Sequence, residues 1–244
     1  MKTMNKFALT AVLALGLAPL ANASTTFSIA SSSGQTGTAM FTFGTNSLTV
    51  LLTDTVVNPG DVGYNLSGLK FDLAGATGGT LSGASSPGSR TINSNGTYTD
   101  AAVNPNTTAA AVGWAFSQSS SIYTLDVLSG PGHAGPENTI LGAPGSGGTY
   151  SNANGSLKND AHNPFLVQSA TFNFSFTGGV TANSLSNLSN VKFRFGTEQP
   201  GEYLLGGCTS GCIVTTVPEP ETYAMVLSGL GLLGFVARRR RRTA

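Results

Sequence analysis

The residues whose types could do chemistry are few. Cys208 and Cys212, the two cysteines of the chain, stand in GGCTSGCIV. In an exported protein an even count points to a disulfide. It would close a loop of Thr209, Ser210 and Gly211, a local clip that restrains little chain entropy. A redox or metal pair is the other reading, but no second pair and no nearby histidine completes a zinc set. His133 and His162 are the two histidines, both in polar loops. No G-x-S-x-G elbow or H-E-x-x-H helix accompanies them, so they read as surface loop residues. Asp126 with Glu137 would be a glycosidase-like pair only if folding set the two carboxyls at the required separation. Asn152, Asn154 and Asp160 offer oxygens for calcium, but not the 12-residue loop with its terminal glutamate, and polar turns explain them as well. Gly229 to Gly234 spells G-x-G-x-x-G. That motif binds nucleotides only between a buried strand and a helix, and here it sits in a terminal apolar run. The expectation is no catalytic residue, no cofactor and no metal.

The elements that must position these residues are framed by the two ends. Lys2 and Lys6 precede an apolar run from Phe7 to Leu20, and Ala21-Asn22-Ala23 supplies a small-x-small cleavage site. Residues 1–23 therefore read as a signal peptide for the general secretion machinery and signal peptidase, with the mature chain starting at Ser24. Lys2, Lys6 and Arg238 to Arg242 account for seven of the 12 basic residues. Between Ser24 and Thr216 only Lys70, Arg90, Lys158, Lys192 and Arg194 remain, against nine acidic residues. A mildly acidic body without a basic stripe gives nucleic-acid binding little support, and no nucleic-acid partner is expected.

Residues 24–216 are long enough for one domain with a real core, or for two small ones. They read as strands and loops, with no amphipathic helix. Ala170 to Thr177 alternates, with Phe172, Phe174 and Phe176 on one side and Asn173, Ser175 and Thr177 on the other. This is the pattern of a half-buried antiparallel strand. Residues 39–43 and 48–53 flank a hairpin turn at Gly44-Thr45-Asn46. Further strands are expected at Thr26 to Ala30, Gly68 to Leu73, Ala111 to Gln118 and Ile122 to Leu128. Residues 74–110 and 129–163, rich in Gly, Ser, Asn, Thr and Pro, are expected to be long loops, with at most short edge strands. Asn65 to Leu73 echoes Asn187 to Phe195 in the pattern NLSxφKFxφ, as equivalent strands of two sheets would, or by coincidence. Asn-x-Ser/Thr triplets begin at Asn65, Asn95, Asn106, Asn154, Asn173 and Asn187, as a chain of this composition produces by chance. The fold class is all-β, a β-sandwich or jelly-roll-like domain with long Gly/Ser/Asn-rich loops.

The C-terminal 28 residues have three parts. Val217-Pro218-Glu219-Pro220 comes first, then 15 uncharged residues from Tyr223 to Ala237, then Arg238, Arg239, Arg240, Arg241 and Arg242. As a helix the apolar part would rise roughly 22 Å against a hydrocarbon core of roughly 30 Å. A short transmembrane helix with the arginines in the cytoplasm and the body outside follows from the positive-inside rule. Such a marginal span suits a temporary stop.

These three parts in this order closely resemble the PEP-CTERM sorting signal. The resemblance implies a Gram-negative bacterium with an exosortase, a membrane-embedded cysteine peptidase proposed to cleave such tails. Pro218, Glu219 and Pro220 would be its recognition motif. It also implies transient insertion in the inner membrane and a final place at the cell surface or in the extracellular matrix. The family's usual composition, rich in Ser, Thr and Asn and poor in cysteine, matches this body. The expected function is a non-enzymatic structural or adhesive one linked to exopolysaccharide and to biofilm or floc formation. A carbohydrate-binding module is the alternative, with Trp114, Tyr123 or Tyr150 stacking on sugar, although Val112 and Phe116 at strand spacing put Trp114 in the core. A secreted hydrolase is the third reading.

Overall fold

The computed structural model describes residues 22–103 and 112–212. Two compact units are distinguished, Met1–Gly211 and Cys212–Ala244, and the strands and core belong to the first. The transmembrane helix expected beyond Tyr223 lies outside the described residues, as does Ala111. Among the described residues there is no α-helix and no helix long and apolar enough to cross a membrane. The protein is all-β.

The strands are β1 (Ala23–Ala30), β2 (Thr36–Gly44), β3 (Ser47–Asp54), β4 (Leu66–Leu73), β5 (Thr80–Ser85), β6 (Ser89–Ile92), β7 (Tyr98–Ala101) and β8 (Ala115–Ser119). They continue with β9 (Ile122–Asp126), β10 (Ile140–Leu141), β11 (Phe165–Val167), β12 (Ser169–Ser175), β13 (Leu188–Phe195), β14 (Tyr203–Leu205) and β15 (Gly207–Ser210). The first sheet runs β15-β1-β2-β3-β12-β5, and every pair in it is antiparallel. The second runs β14-β13-β4-β10-β11-β6-β7, with β9 also on β4 and β8 on β9. The chain passes directly from one sheet to the other where β14 leads through Gly206 into β15, and where β11 leads through Gln168 into β12. Gln168 makes that corner with φ +59°, a left-handed conformation uncommon for a side-chain-bearing residue.

Alternation decides which face each strand buries. Phe41 and Phe43 of β2, Val50 and Leu52 of β3, and Phe172 and Phe174 of β12 turn inward and are buried. They meet Leu69 and Phe71 of β4, Tyr123 of β9 and Phe193 of β13 in one core. Edge-to-face ring pairs tie the sheets: Phe41 to Phe71 at 5.1 Å and Phe174 to Phe71 at 6.2 Å between centroids. Burying a side chain of this size contributes about 1.5–3 kcal/mol. Most outward positions of the first sheet, among them Thr38, Thr42, Thr49, Thr53, Thr171 and Asn173, are polar and uncharged, with the cross-strand pair Met40 and Leu51 the apolar exception in β2 and β3.

Three readings of the sequence change or gain detail. The strand expected from residue 111 begins only at Ala115, because Gly113 takes φ +69° and breaks the extended run. The described residues of the 74–110 stretch combine loop with short strands, as expected. They hold β5, β6 and β7, which lack a strong apolar alternation because they lie at sheet peripheries, where β5 and β7 bury little. The two echoing segments are not equivalent strands of separate sheets. They are β4 and β13, antiparallel neighbours in one sheet, with Leu188 opposite Leu73 and Phe195 opposite Leu66. The pairing is locally two-fold: Gly196 N donates to Asn65 O at 2.9 Å, and Ala74 N donates to Asn187 O at 3.1 Å. Each strand follows a 3-10 helix, Val62–Tyr64 or Ala182–Asn187, whose start is capped by Asp61 or Thr181.

Candidate functional site

The first observation of functional weight is where the body begins and ends. β1 pairs antiparallel with β15, placing Thr26 opposite Ser210. Gly211, at φ +65°, packs so close to the Ser24 carbonyl that a Cβ there would collide with it. The expected first mature residue, Ser24, and the last residue before the second unit thus lie side by side. Ala21, Pro218, Glu219, Pro220 and Arg238 to Arg242 lie outside the described residues, whereas Ala23 opens β1, paired with Phe43.

At the opposite end of β1, seven residue steps and therefore about 23 Å away, lies an open cleft of about 680 Å³. Four stretches of chain build it. Ser31 to Ser33 and Gln35 come from the β1–β2 connection, and Asp61 to Gly63 from the turn before β4. Asn154 and Ser156 come from the long loop before β11, and Phe195 to Glu198, Gly201, Glu202 and Leu204 from the end of β13 through β14. The wall is braced from within. Asp61 Oδ1 accepts from Gly63 N at 2.7 Å, Ser156 Oγ accepts from Val62 N at 3.1 Å, and Ser31 Oγ donates to Gln35 Oε1. Asp61, Glu198 and Glu202 line the cleft, and among the described residues no Lys, Arg or His does. Its chemistry is that of hydroxyls, amides and carboxylates around a half-buried phenylalanine.

One rim of the cleft is anchored by a buried ion pair. Arg194 Nη1 donates to Asp126 Oδ2 at 2.7 Å, with both side chains almost fully buried. Arg194 Nη2 donates to the Glu198 carbonyl at 2.6 Å and so fixes the cleft segment after β13. Asp126 also accepts from Leu128 N, Ser129 Oγ and Tyr203 Oη, at 2.7, 2.9 and 3.2 Å. Burial, with the Asp126 charge adding to it, pushes the Tyr203 hydroxyl far above its ordinary range. Asp126 is therefore spent on structure, and a pairing with Glu137 has no free carboxylate on this side.

The other residues whose types suggest chemistry are also placed. Trp114, Tyr123 and Tyr150 are fully buried. None can stack on a sugar, which corrects that part of the carbohydrate-binding reading. Trp114 Nε1 donates to the Asn138 carbonyl at 2.9 Å, and its ring lies 5.2 Å from that of Phe172. Tyr150 belongs to a second small core with Ile92, Leu141, Leu157 and Phe165, which the loop of residues 142–164 folds over. There Arg90 holds Asp100 through two bonds of 2.6 and 2.7 Å, donates to Tyr150 Oη at 2.9 Å, and lies 3.6 Å over the ring of Tyr98. Asn154 Oδ1 accepts from Ser156 N and Oγ, at 2.8 and 2.7 Å, which is turn chemistry. No metal-holding group of His, Cys, Asp and Glu occurs among the described residues. His133 is exposed and His162 half-buried. Asn65 is fully buried, so the first of the Asn-x-Ser/Thr triplets is closed to modification in the folded chain. Cys208 and Cys212 are both disulfide-bonded.

Asp54 carries no signal in the sequence, yet it is buried at the end of β3, where backbone N–H groups are its hydrogen-bond partners. Burial raises its carboxyl well above the ordinary value, against the bonds from Val56, Leu66 and Gly142. The folded chain then keeps a proton that the unfolded chain releases near pH ~4. Stability therefore falls as pH rises from there through the folded value. Asp100 has the opposite sign. Its bond to Arg90 lowers its value, so its contribution is present above about pH 4 and lost on acidification. That contribution is small because the Asp100 side chain is 45% exposed. Urea midpoints across pH 4 to 8 should decline less steeply in Asp54→Asn than in the parent, and parallel curves would remove Asp54 from the account.

Residues 216–242 match the family model of the PEP-CTERM protein-sorting motif. This span contains Pro218, Glu219, Pro220 and all five terminal arginines. No curated protein and no solved structure matches the chain. Behind a β-rich body whose two ends meet at one corner, the chain carries a PEP-CTERM protein-sorting motif, the signal of an exported protein addressed to an exosortase.

Proposed function

We propose that the body, a β-sandwich of two sheets, is a non-enzymatic structural or adhesive protein of the cell surface or extracellular matrix. It is released or transferred there once the exosortase removes the tail. The observation that carries this reading is the polarity of the fold. Both ends that the export machinery handles leave from the Ser24–Gly211 corner, and the open cleft lies at the other end of β1. Exopolysaccharide is the partner such a matrix protein meets, and a role in biofilm or floc formation follows from that company.

The absence of catalysis is part of the proposal. Glu198 and Glu202 stand exposed in the open cleft. Asp126 is held by Arg194. Turnover of a polysaccharide panel by the exported protein would overturn this part.

The sorting reading is tested by intact mass. The protein recovered from the cell surface should lack Arg238 to Arg242. Replacing Pro218, Glu219 and Pro220 together by alanine should leave the precursor in the membrane fraction with its arginines attached. Surface protein that keeps the arginines in the parent strain would end the processing claim.

A further inference from the structure

We propose that the cleft beside β13 binds a short segment of glycan whose sugars carry free amines. The inference deepens the surface-protein reading by naming what the exposed end of the body holds, and it rests on that reading only for where the ligand is met. Four features of the cleft point to it.

The first is size and openness. About 680 Å³, open to solvent, is the volume of a groove that takes a few sugar units, not a sealed pocket for an apolar ligand. The second is the density of hydroxyls. Ser32 and Ser33, both exposed, and Thr197, half-buried, are among the lining residues, so the cleft offers hydroxyl donors and acceptors of the kind that sugar hydroxyls pair with. The third is Phe195, half-buried at the end of β13. A ring in that position offers the apolar contact that the C–H face of a sugar needs.

The fourth is charge. Glu198 and Glu202 are exposed in the lining, and no basic side chain among the described residues lines it with them. The nearest arginine in the sequence, Arg194, is turned inward to Asp126. An unbalanced acidic cleft on an acidic body repels a polymer of sugar acids and attracts ammonium groups. A glycan bearing free amines satisfies the hydroxyls, the ring and the carboxylates together. A neutral sugar leaves the charge unused, and a linear polyamine leaves the hydroxyls and the ring unused.

The test uses the mature exported protein and calorimetric or NMR titration with four probes. These are a glucosamine oligosaccharide with free amines, its fully N-acetylated counterpart, an oligogalacturonate and spermidine. The amine-bearing oligosaccharide is expected to bind, weakening as salt is raised. The acetylated form should bind about tenfold more weakly, and the galacturonate not at all. The double variant Glu198→Gln with Glu202→Gln should lose about tenfold for the amine-bearing sugar while leaving the acetylated one unchanged. Both side chains are exposed, so the variant is expected to fold, as circular dichroism will verify.

Equal binding of the acetylated and free-amine sugars would overturn the charge argument. Spermidine binding as tightly as the sugar would overturn the glycan. No binding to any probe would overturn the site. None of these outcomes touches the tail, whose removal is read separately by mass, so failure of the cleft and failure of the sorting reading are distinguishable.

Discussion

Asp126→Ala is expected to destabilise the protein by about 3–5 kcal/mol, the loss seen when one partner of a buried ion pair is removed. The size comes from what would remain. The Arg194 guanidinium is 3% exposed, and its Nε already has no partner. Without Asp126 it would hold a charge in a site that water reaches poorly, and a buried charge without a partner is the costly case. The Leu128 N–H, the Ser129 hydroxyl and the Tyr203 hydroxyl would lose their acceptor as well. Urea unfolding followed by the emission of Trp114, the single tryptophan, measures the loss. Asp100→Ala is the control, because its side chain is 45% exposed and Arg90 keeps its bond to Tyr150 and its place over Tyr98. Its loss should be smaller, because Asp100 is itself partly in water, although the Arg90 side chain, 7% exposed, also loses its carboxylate. The first variant should also loosen the cleft, since Arg194 holds the Glu198 carbonyl. Sugar affinity should fall in Asp126→Ala and stay unchanged in Asp100→Ala. Equal stability losses in the two would show that the Arg194 site is wetter than its geometry states.

Trp114→Ala is expected to cost about 3–5 kcal/mol, through lost burial and the cavity left behind. The residue is fully buried, stands 5.2 Å from Phe172 between ring centroids, and donates to the Asn138 carbonyl. Trp114→Phe should cost less. It refills most of the space but leaves that carbonyl without its donor, a loss of about 1–3 kcal/mol. Far-UV circular dichroism against urea reads both, since the variants lack the fluorophore. The pair also separates a core role from that of a sugar platform. A platform residue would cost binding and leave stability alone, whereas here stability should fall and the affinity of molecules still folded should not.

Much of the all-β body was legible because burial is a one-face property of strands. The Phe172–Phe174–Phe176 alternation and the turn at Thr45-Asn46 each express a local rule, period two and positive φ at Asn46. β5 and β7 escaped the same rule. Peripheral strands bury little, and Thr80 to Ser85 therefore looks like loop in composition. Asp54 and Arg90 escaped for a different reason. Their partners come from Leu66 and Gly142 in one case and Tyr150 in the other, and no spacing along the chain announces a contact between such distant segments.

The sequence by itself determined the address of this protein. A proline-glutamate-proline motif, an apolar run and an arginine block act in order along the chain, and a linear signal needs no fold to be read. Only the tertiary structure decided what the body presents. It set Ser24 beside Gly211, turned Trp114, Tyr123 and Tyr150 inward, and gathered Ser32, Phe195, Glu198 and Glu202 into one cleft. Ser32 and Glu202 are brought together by the pairing of the sheet that holds β1 and β2 with the sheet that holds β4, β13 and β14. That pairing is fixed by the summed burial of two sheet faces, a property of the whole chain that no short stretch of it carries.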